Sequence, residues 1–145
     1  MDQEKLIELL HLWSARFTPI IAYLHRLYDK DVENRDFYRD HVMAFNQGLV
    51  LPDLKKGLPG VCWATVFGQE YTELFGRQRL TTCPVHLAQE RDGLFYVQLT
   101  ADIKSGDNDY EGFKLVRSGA VRHLDSHAFY GDPRPIALPG FLASS

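Results

Sequence analysis

The chain has 145 residues, of which 45% are hydrophobic and 24% are charged, and its formal net charge is −3. This length is typical of one domain, and the mild negative charge argues against a general binder of nucleic acids or anionic membranes. The sequence contains no transmembrane run, and its acidic N-terminus does not resemble a secretory signal. We therefore expect a cytoplasmic protein with a single domain at residues 1–145.

The first thirty residues show the strongest periodicity, with apolar residues alternating at steps of four and three. The pattern predicts an amphipathic helix that Asp2 caps and that Pro19 kinks or divides into two abutting helices. We expect its apolar stripe to pack on the sheet of the same domain, and the alternative is a dimer or partner surface. A charged turn at residues 29–36 and a second helix at 37–49 complete an N-terminal helical part, residues 1–50. The residues of the stripe are Leu6, Leu10, Trp13, Phe17, Ile20, Leu24 and Leu27.

The middle of the chain predicts a surface connection at residues 51–60, then a buried strand at 61–67 and a short helix at 69–75. Gly76 sits where a helix often ends in a left-handed residue. A single helix is the alternative, because aromatic residues recur at every fourth position from Trp63 to Phe75. Gly68 would then lie inside that helix at a cost of about 1 kcal/mol, so we favour strand, turn and helix.

A β-hairpin is predicted around Asp92 and Gly93. A two-residue turn would pair Arg91 with Leu94, whereas a three-residue loop with a left-handed Gly93 pairs Glu90 with Leu94. The longer loop places Leu87 opposite Val97 and makes one face continuously apolar. We therefore predict the three-residue loop.

The last part of the chain begins with an acidic loop at residues 101–112. Phe113, Val116, Ala120 and Leu124 then mark an amphipathic helix. The sheet and this helix form a segment at residues 58–130, which an extended tail at 131–145 follows. The expected fold class is α+β, with amphipathic N-terminal and C-terminal helices covering one face of a small antiparallel sheet.

The acidic loop is the first candidate binding surface, through four carboxylates that could meet a basic protein partner. It imitates the opening of a calcium loop, but Ser118 stands where the bidentate glutamate is required, so we expect no metal there. The four residues are Asp102, Asp107, Asp109 and Glu111.

A second polar cluster combines His123, Asp125 and His127. Two histidines four residues apart on a helix could share a zinc ion, but the segment lacks the metalloprotease pattern. Polar residues at the end of a helix are the alternative explanation, and we expect no metal and no cofactor. Cys62 and Cys83 form no metal-binding motif, so we predict buried, reduced thiols. No phosphate-binding loop, dinucleotide motif or nucleophile elbow occurs, so we identify no catalytic residues and do not expect an enzyme.

Residues 63–80 read W-A-T-V-F-G-Q-E-Y-T-E-L-F-G-R-Q-R-L, and a hairpin and a helix ending in V-R-H-L-D-S-H-A-F at residues 121–129 follow. This arrangement resembles small bacterial proteins that act as immunity partners of polymorphic or secreted toxins. The resemblance leaves the N-terminal helices unmatched and transfers no functional residues. It implies a non-catalytic protein that binds and neutralises one cognate toxin. The alternatives are a small enzyme or ligand-binding domain that uses the histidine cluster, and a subunit of a homo-oligomer.

Overall fold

The computed structural model describes residues 2–34, 53–130 and 137–143, and within these ranges the protein is an α+β structure with one four-stranded sheet. The second predicted helix, at residues 37–49, lies outside the described residues. The helices are α1 (Gln3–Phe17), α2 (Asp29–Asn34), α3 (Gln69–Phe75), α4 (Arg77–Thr81), α5 (Ser105–Asn108), α6 (Tyr110–Leu124) and α7 (Gly140–Ala143). The strands are β1 (Ile21–Leu24), β2 (Ala64–Phe67), β3 (Leu87–Arg91) and β4 (Leu94–Gln98), and two 3₁₀ turns lie at Leu54–Lys56 and Ser126–Ala128.

The sheet is antiparallel throughout, in the order β1-β2-β4-β3. Every residue of the two central strands, β2 and β4, is buried, which agrees with the apolar pattern of residues 61–67. The prediction of strand, turn and helix for this stretch is confirmed, because β2 ends at Phe67 and α3 begins at Gln69. Gly76, which ends α3, has a positive φ of 86°.

Helices cover both faces of the sheet. Ala22, Val66 and Tyr96 are cross-strand partners on one face, and His11 of α1 packs on Tyr96 with 4.6 Å between the ring centroids. Phe67 points to the opposite face, where Phe75 of α3 lies 5.4 Å away, centroid to centroid. The expectation that helices cover one face is therefore wrong, because α1 packs on the side of the sheet away from α3.

The N-terminal helix is shorter than its periodicity indicates. Asp2 caps α1 through a hydrogen bond to the Glu4 amide, as predicted, but α1 ends at Phe17. Beyond Pro19 the chain forms β1 rather than a second helical piece, because the sheet offers β2 as a pairing partner. Of the residues that the pattern places on a helical stripe, Leu24 therefore belongs to β1 and Ile20 lies directly before it.

The hairpin between β3 and β4 has a two-residue loop, so the predicted three-residue loop is wrong. Arg91 pairs with Leu94, and both loop residues have positive φ, 54° at Asp92 and 76° at Gly93. Leu87 lies opposite Gln98 rather than Val97. The prediction relied on one apolar face, but β4 is buried on both faces and β3 is a largely exposed edge strand.

Three segments that the sequence assigns to turns, loops or tail contain helical structure. Part of the charged turn forms α2, the acidic loop contains α5 and the first turn of α6, and the tail contains α7. The predicted surface connection includes Leu58, which is fully buried and forms a parallel bridge with Phe129. Each assignment failed because these segments are too short to show a periodicity of their own, and tertiary contacts order them.

Two further features concern the chain as a whole. Cys62 and Cys83 are free and buried, as predicted. Within the ranges that the structure describes, none of the helices has the length and apolar character needed to cross a membrane.

Candidate functional site

Helix α1 presents four large apolar side chains to solvent. Leu9, Leu12, Trp13 and Phe17 are 43%, 66%, 59% and 65% exposed, whereas His11 and Ser14 on the inner side are buried. The rings of Trp13 and Phe17 meet edge to face with 5.9 Å between their centroids, so they form one continuous aromatic surface. Exposed apolar patches of this kind mark sites of interaction with other molecules. We call these four residues the outer face of α1.

A groove of about 340 Å³ runs between α1 and β1, beside the outer face. Its walls are largely apolar, with Leu10 and Phe17 on the helix and Pro19, Ala22 and Leu24 on the other side. Ser14 also lines the groove, and its buried hydroxyl has no hydrogen-bond partner among the described residues. Strand β1 is an edge of the sheet. The groove and the outer face therefore form one mainly apolar surface at this edge.

A buried polar cluster lies around Asp31, which follows β1 in the first turn of α2 and is fully buried. Its Oδ1 accepts hydrogen bonds from the Tyr110 hydroxyl at 2.7 Å and from Arg117 Nη1 at 3.1 Å. Its Oδ2 accepts from the Tyr28 amide at 3.3 Å and lies 3.2 Å from His25 Nε2. Burial favours a raised pKa for Asp31, but the hydrogen bonds from His25 and Tyr110 and the charge of Arg117 outweigh it and lower the pKa to about 2.

The hydrogen bonds of His25 define its role in this cluster. Its Nδ1 accepts from the Trp63 amide at 3.1 Å, so the ring proton resides on Nε2 and is donated to Asp31. Both ring nitrogens are therefore engaged, and neither has a lone pair left for a substrate. The cluster joins the β1–α2 connection to β2 and to α6, and its geometry is that of a structural network.

The four carboxylates of the predicted acidic surface are all exposed, but three of them have intramolecular roles. Asp102 accepts a hydrogen bond from the Lys104 amide, and Asp109 caps α6 through the Gly112 amide. Asp107 forms an ion pair with Arg26 at 3.0 Å. Glu111 lies in the first turn of α6, where a negative charge is favourable.

The residues of the predicted histidine cluster point to different partners. His123 Nε2 lies 2.9 Å from the Arg79 carbonyl oxygen, whereas His127 Nδ1 lies 3.2 Å from Asp125 Oδ1. Asp125 also caps the 3₁₀ turn that follows α6, by accepting from the His127 amide. Within residues 2–34, 53–130 and 137–143, no group of three or more histidine, cysteine or acidic side chains is arranged to hold a metal ion.

Sequence reasoning raised a partner surface on the N-terminal helix only as an alternative, and it missed the Asp31 cluster. The outer face of α1 could have been recognised from the sequence, because α1 carries more apolar residues than one buried stripe requires, among them Leu9 and Leu12. The Asp31 cluster could not have been recognised in this way, because Asp31 belongs to a run of charged residues and Arg117 lies far away in the sequence. Comparisons of this chain with protein-family models, with curated proteins and with solved structures give no match.

Proposed function

We propose that the protein acts without catalysis, by binding another protein through the outer face of α1. The observation that carries this proposal is the exposure of Leu9, Leu12, Trp13 and Phe17 on a single helix. Two of the four are aromatic, and aromatic side chains are enriched among the residues that supply most of the binding energy in protein interfaces. The apolar groove beside the helix adds space for side chains of a partner.

The state of the reactive groups supports a non-catalytic role. Both ring nitrogens of His25 are engaged inside the protein. Burial raises the pKa of the thiols of Cys62 and Cys83, so both disfavour the thiolate form that a nucleophile requires. His25 and the two thiols thus serve internal hydrogen bonding and packing.

The partner class follows from the resemblance of residues 63–80 and 121–129 to immunity-type proteins, which implies a bacterial toxin in the cytoplasm. Its expected chemistry is an apolar patch bordered by basic residues. Gln3 at the start of α1 bonds to the Ala101 carbonyl and to the Ile103 amide, both at 2.8 Å. The acidic segment that contains Asp102 therefore contacts the first turn of α1, and we infer that it adds negative charge near the helix that carries the apolar face.

The alternative function, a small enzyme or ligand-binding domain, requires His123, Asp125 and His127 to act on one ligand. His123 is held against Arg79, whereas Asp125 and His127 contact each other. No observation favours this alternative over protein binding.

The test begins with the neighbouring genes: where one encodes a toxin-domain protein, its binding to this chain is measured by titration calorimetry, together with inhibition of its activity. We expect one-to-one binding and stoichiometric inhibition by the wild type, and loss of both in Leu12→Glu. Leu115→Glu is the matched control, because Leu115 is 68% exposed on a different helix, α6. Equal binding by Leu12→Glu and wild type, or inhibition far below one equivalent, would contradict the proposal.

A further inference from the structure

We propose that a second copy of this chain covers the outer face of α1, so that two copies pair through antiparallel α1 helices about a two-fold axis. This inference rests on the proposed function only in using the same contact surface. A toxin that binds there would displace the second copy.

The outer face of α1 consists of two neighbouring rows of residues at intervals of four. One row is Leu9, Trp13 and Phe17, and the other is Glu8, Leu12 and Arg16, all of which are exposed. Successive residues of such a row lie about 6 Å apart along the axis, and two rows of this type form the commonest helix–helix packing. The outer face therefore has the ridges that a second helix needs.

The two rows are complementary to themselves under a two-fold rotation. An axis between Leu12 and Trp13 places Leu9 of one copy near Phe17 of the other, so the apolar row meets itself. The same rotation places Glu8 of one copy near Arg16 of the other, and the pair occurs twice. A two-fold dimer requires a surface that is complementary to itself, and these two rows have that property. Charge complementarity of this kind also fixes the register and the antiparallel direction.

The expected contact is small, because each copy contributes one helix of 15 residues and the groove beside it. Stable interfaces bury about 1,200–2,000 Å² in total, and one helix pair lies at the lower end of that range or below it. We therefore expect a reversible dimer whose population rises with protein concentration.

Sedimentation velocity of the purified chain over a hundredfold range of concentration tests the association. The wild type is expected to shift from monomer towards dimer, and Leu12→Glu is expected to remain monomeric. Leu115→Glu, which changes an equally exposed leucine outside the outer face, is expected to dimerise like the wild type.

Charge exchange tests the antiparallel register. Glu8→Arg alone and Arg16→Glu alone place like charges opposite each other, and each is expected to weaken the dimer several-fold. The double variant Glu8→Arg/Arg16→Glu restores opposite charges and is expected to recover the association. Both positions are exposed, so these variants leave the core unchanged.

Three results would overturn the inference. The first is a wild type that stays monomeric at every concentration. If acrylamide also fails to quench the fluorescence of Trp13 in that monomer, another part of the same chain covers the helix. The second is a dimer that Leu12→Glu does not affect. The third is a double variant that associates no better than either single variant. Toxin binding is measured separately, so a monomer that binds the toxin through Leu12 overturns self-association and leaves the proposed function standing.

Discussion

At the scale of single residues, Asp31 shows how a buried charge is accommodated. The carboxylate is fully buried, and four hydrogen-bond donors surround it, from His25, Tyr28, Tyr110 and Arg117. The guanidinium carbon of Arg117 also lies 5.5 Å from the centre of the Phe113 ring. Removing one partner of a buried ion pair typically lowers the free energy of unfolding by about 3–5 kcal/mol, which is more than the intact pair contributes. The cluster is thus a point at which small changes have large effects on stability.

The first prediction concerns the pH dependence of stability. The pKa of Asp31 is about 2 in the folded protein against an ordinary value of 3.8, so its ionised form is the one that folding favours. This contribution, about 2–2.5 kcal/mol, is complete above about pH 5 and is lost as the pH falls towards 2. Urea unfolding of wild type and Asp31→Asn between pH 7 and pH 2.5 measures it. We expect the variant to be less stable at pH 7 and the difference to shrink in acid, whereas parallel pH profiles would contradict the role of Asp31.

Sequence reasoning could not find this cluster, because its members are spread over the whole chain. Asp31 lies in a charged stretch that resembles a surface turn, His25 belongs to the predicted N-terminal helix, and Arg117 is adjacent to the apolar stripe of α6. Only the folded backbone brings them together, since the contact between Asp31 and Arg117 spans 86 positions. The local signals that worked were those confined to a few residues, such as the Asp2 cap of α1.

At the scale of elements, the β3–β4 hairpin supplies the second prediction. Asp92 and Gly93 both have positive φ, the conformation of the two-residue hairpin turn that glycine favours. Apart from its chain neighbours, no residue has an atom within 4 Å of the position where a Cβ of residue 93 would be, so a substitution there acts mainly through backbone strain. We expect Gly93→Val to destabilise the fold by about 1–2 kcal/mol in denaturant titrations.

Gly93→Asn is the control for that measurement, because asparagine tolerates the left-handed region better than valine does. It is expected to lose less stability than Gly93→Val. Equal midpoints for wild type and Gly93→Val would show that the turn does not constrain this residue.

The elements also show where patterns of apolar residues mislead. The register of β3 was predicted from a single apolar face, a criterion that does not apply because β4 is buried on both sides. On α1, polar His11 and Ser14 face inward while Trp13 and Phe17 face outward, so the largest apolar residues do not mark the core. Both errors arise because the periodicity of apolar residues shows which residues lie on the same side of a helix or strand, but not which side the rest of the protein covers.

At the scale of the whole molecule, the reaction rates of the two thiols measure how readily the core opens to solvent. Burial raises the pKa of Cys62 and Cys83, to about 11 for Cys83, and their exposed fractions are 5% and 7%. We predict slow reaction of both thiols with a chromogenic disulfide reagent at pH 8 in the native protein. In denaturant without reductant, two free thiols should react rapidly. Native thiols that react as fast as the denatured ones, or a count near zero in denaturant, would contradict this prediction.

The fold class was accessible from the sequence, because β2 and α3 have clear composition and glycines mark their limits. The arrangement of helices on both faces was not accessible, since the local sequence of α1 does not determine which face of the sheet the helix covers. The outer face of α1 was foreseen only as an alternative, in the possibility that the N-terminal stripe forms a dimer or partner surface. The acidic residues were correctly placed on the surface, but their roles as caps depend on where α5 and α6 begin.

The pairing of Asp31 with Arg117 has a consequence for synthesis on the ribosome. Arg117 is added 86 residues after Asp31, which at about 5–20 residues per second corresponds to roughly 4–17 s of elongation. The partner strand β2 and the Trp63 amide that binds His25 also emerge well after the N-terminal segment. Throughout that interval the Asp31 carboxylate lacks its counter-charge, and for the first part of it the N-terminal segment also lacks β2. The contacts that hold the first thirty residues are therefore completed only after Arg117 has been added.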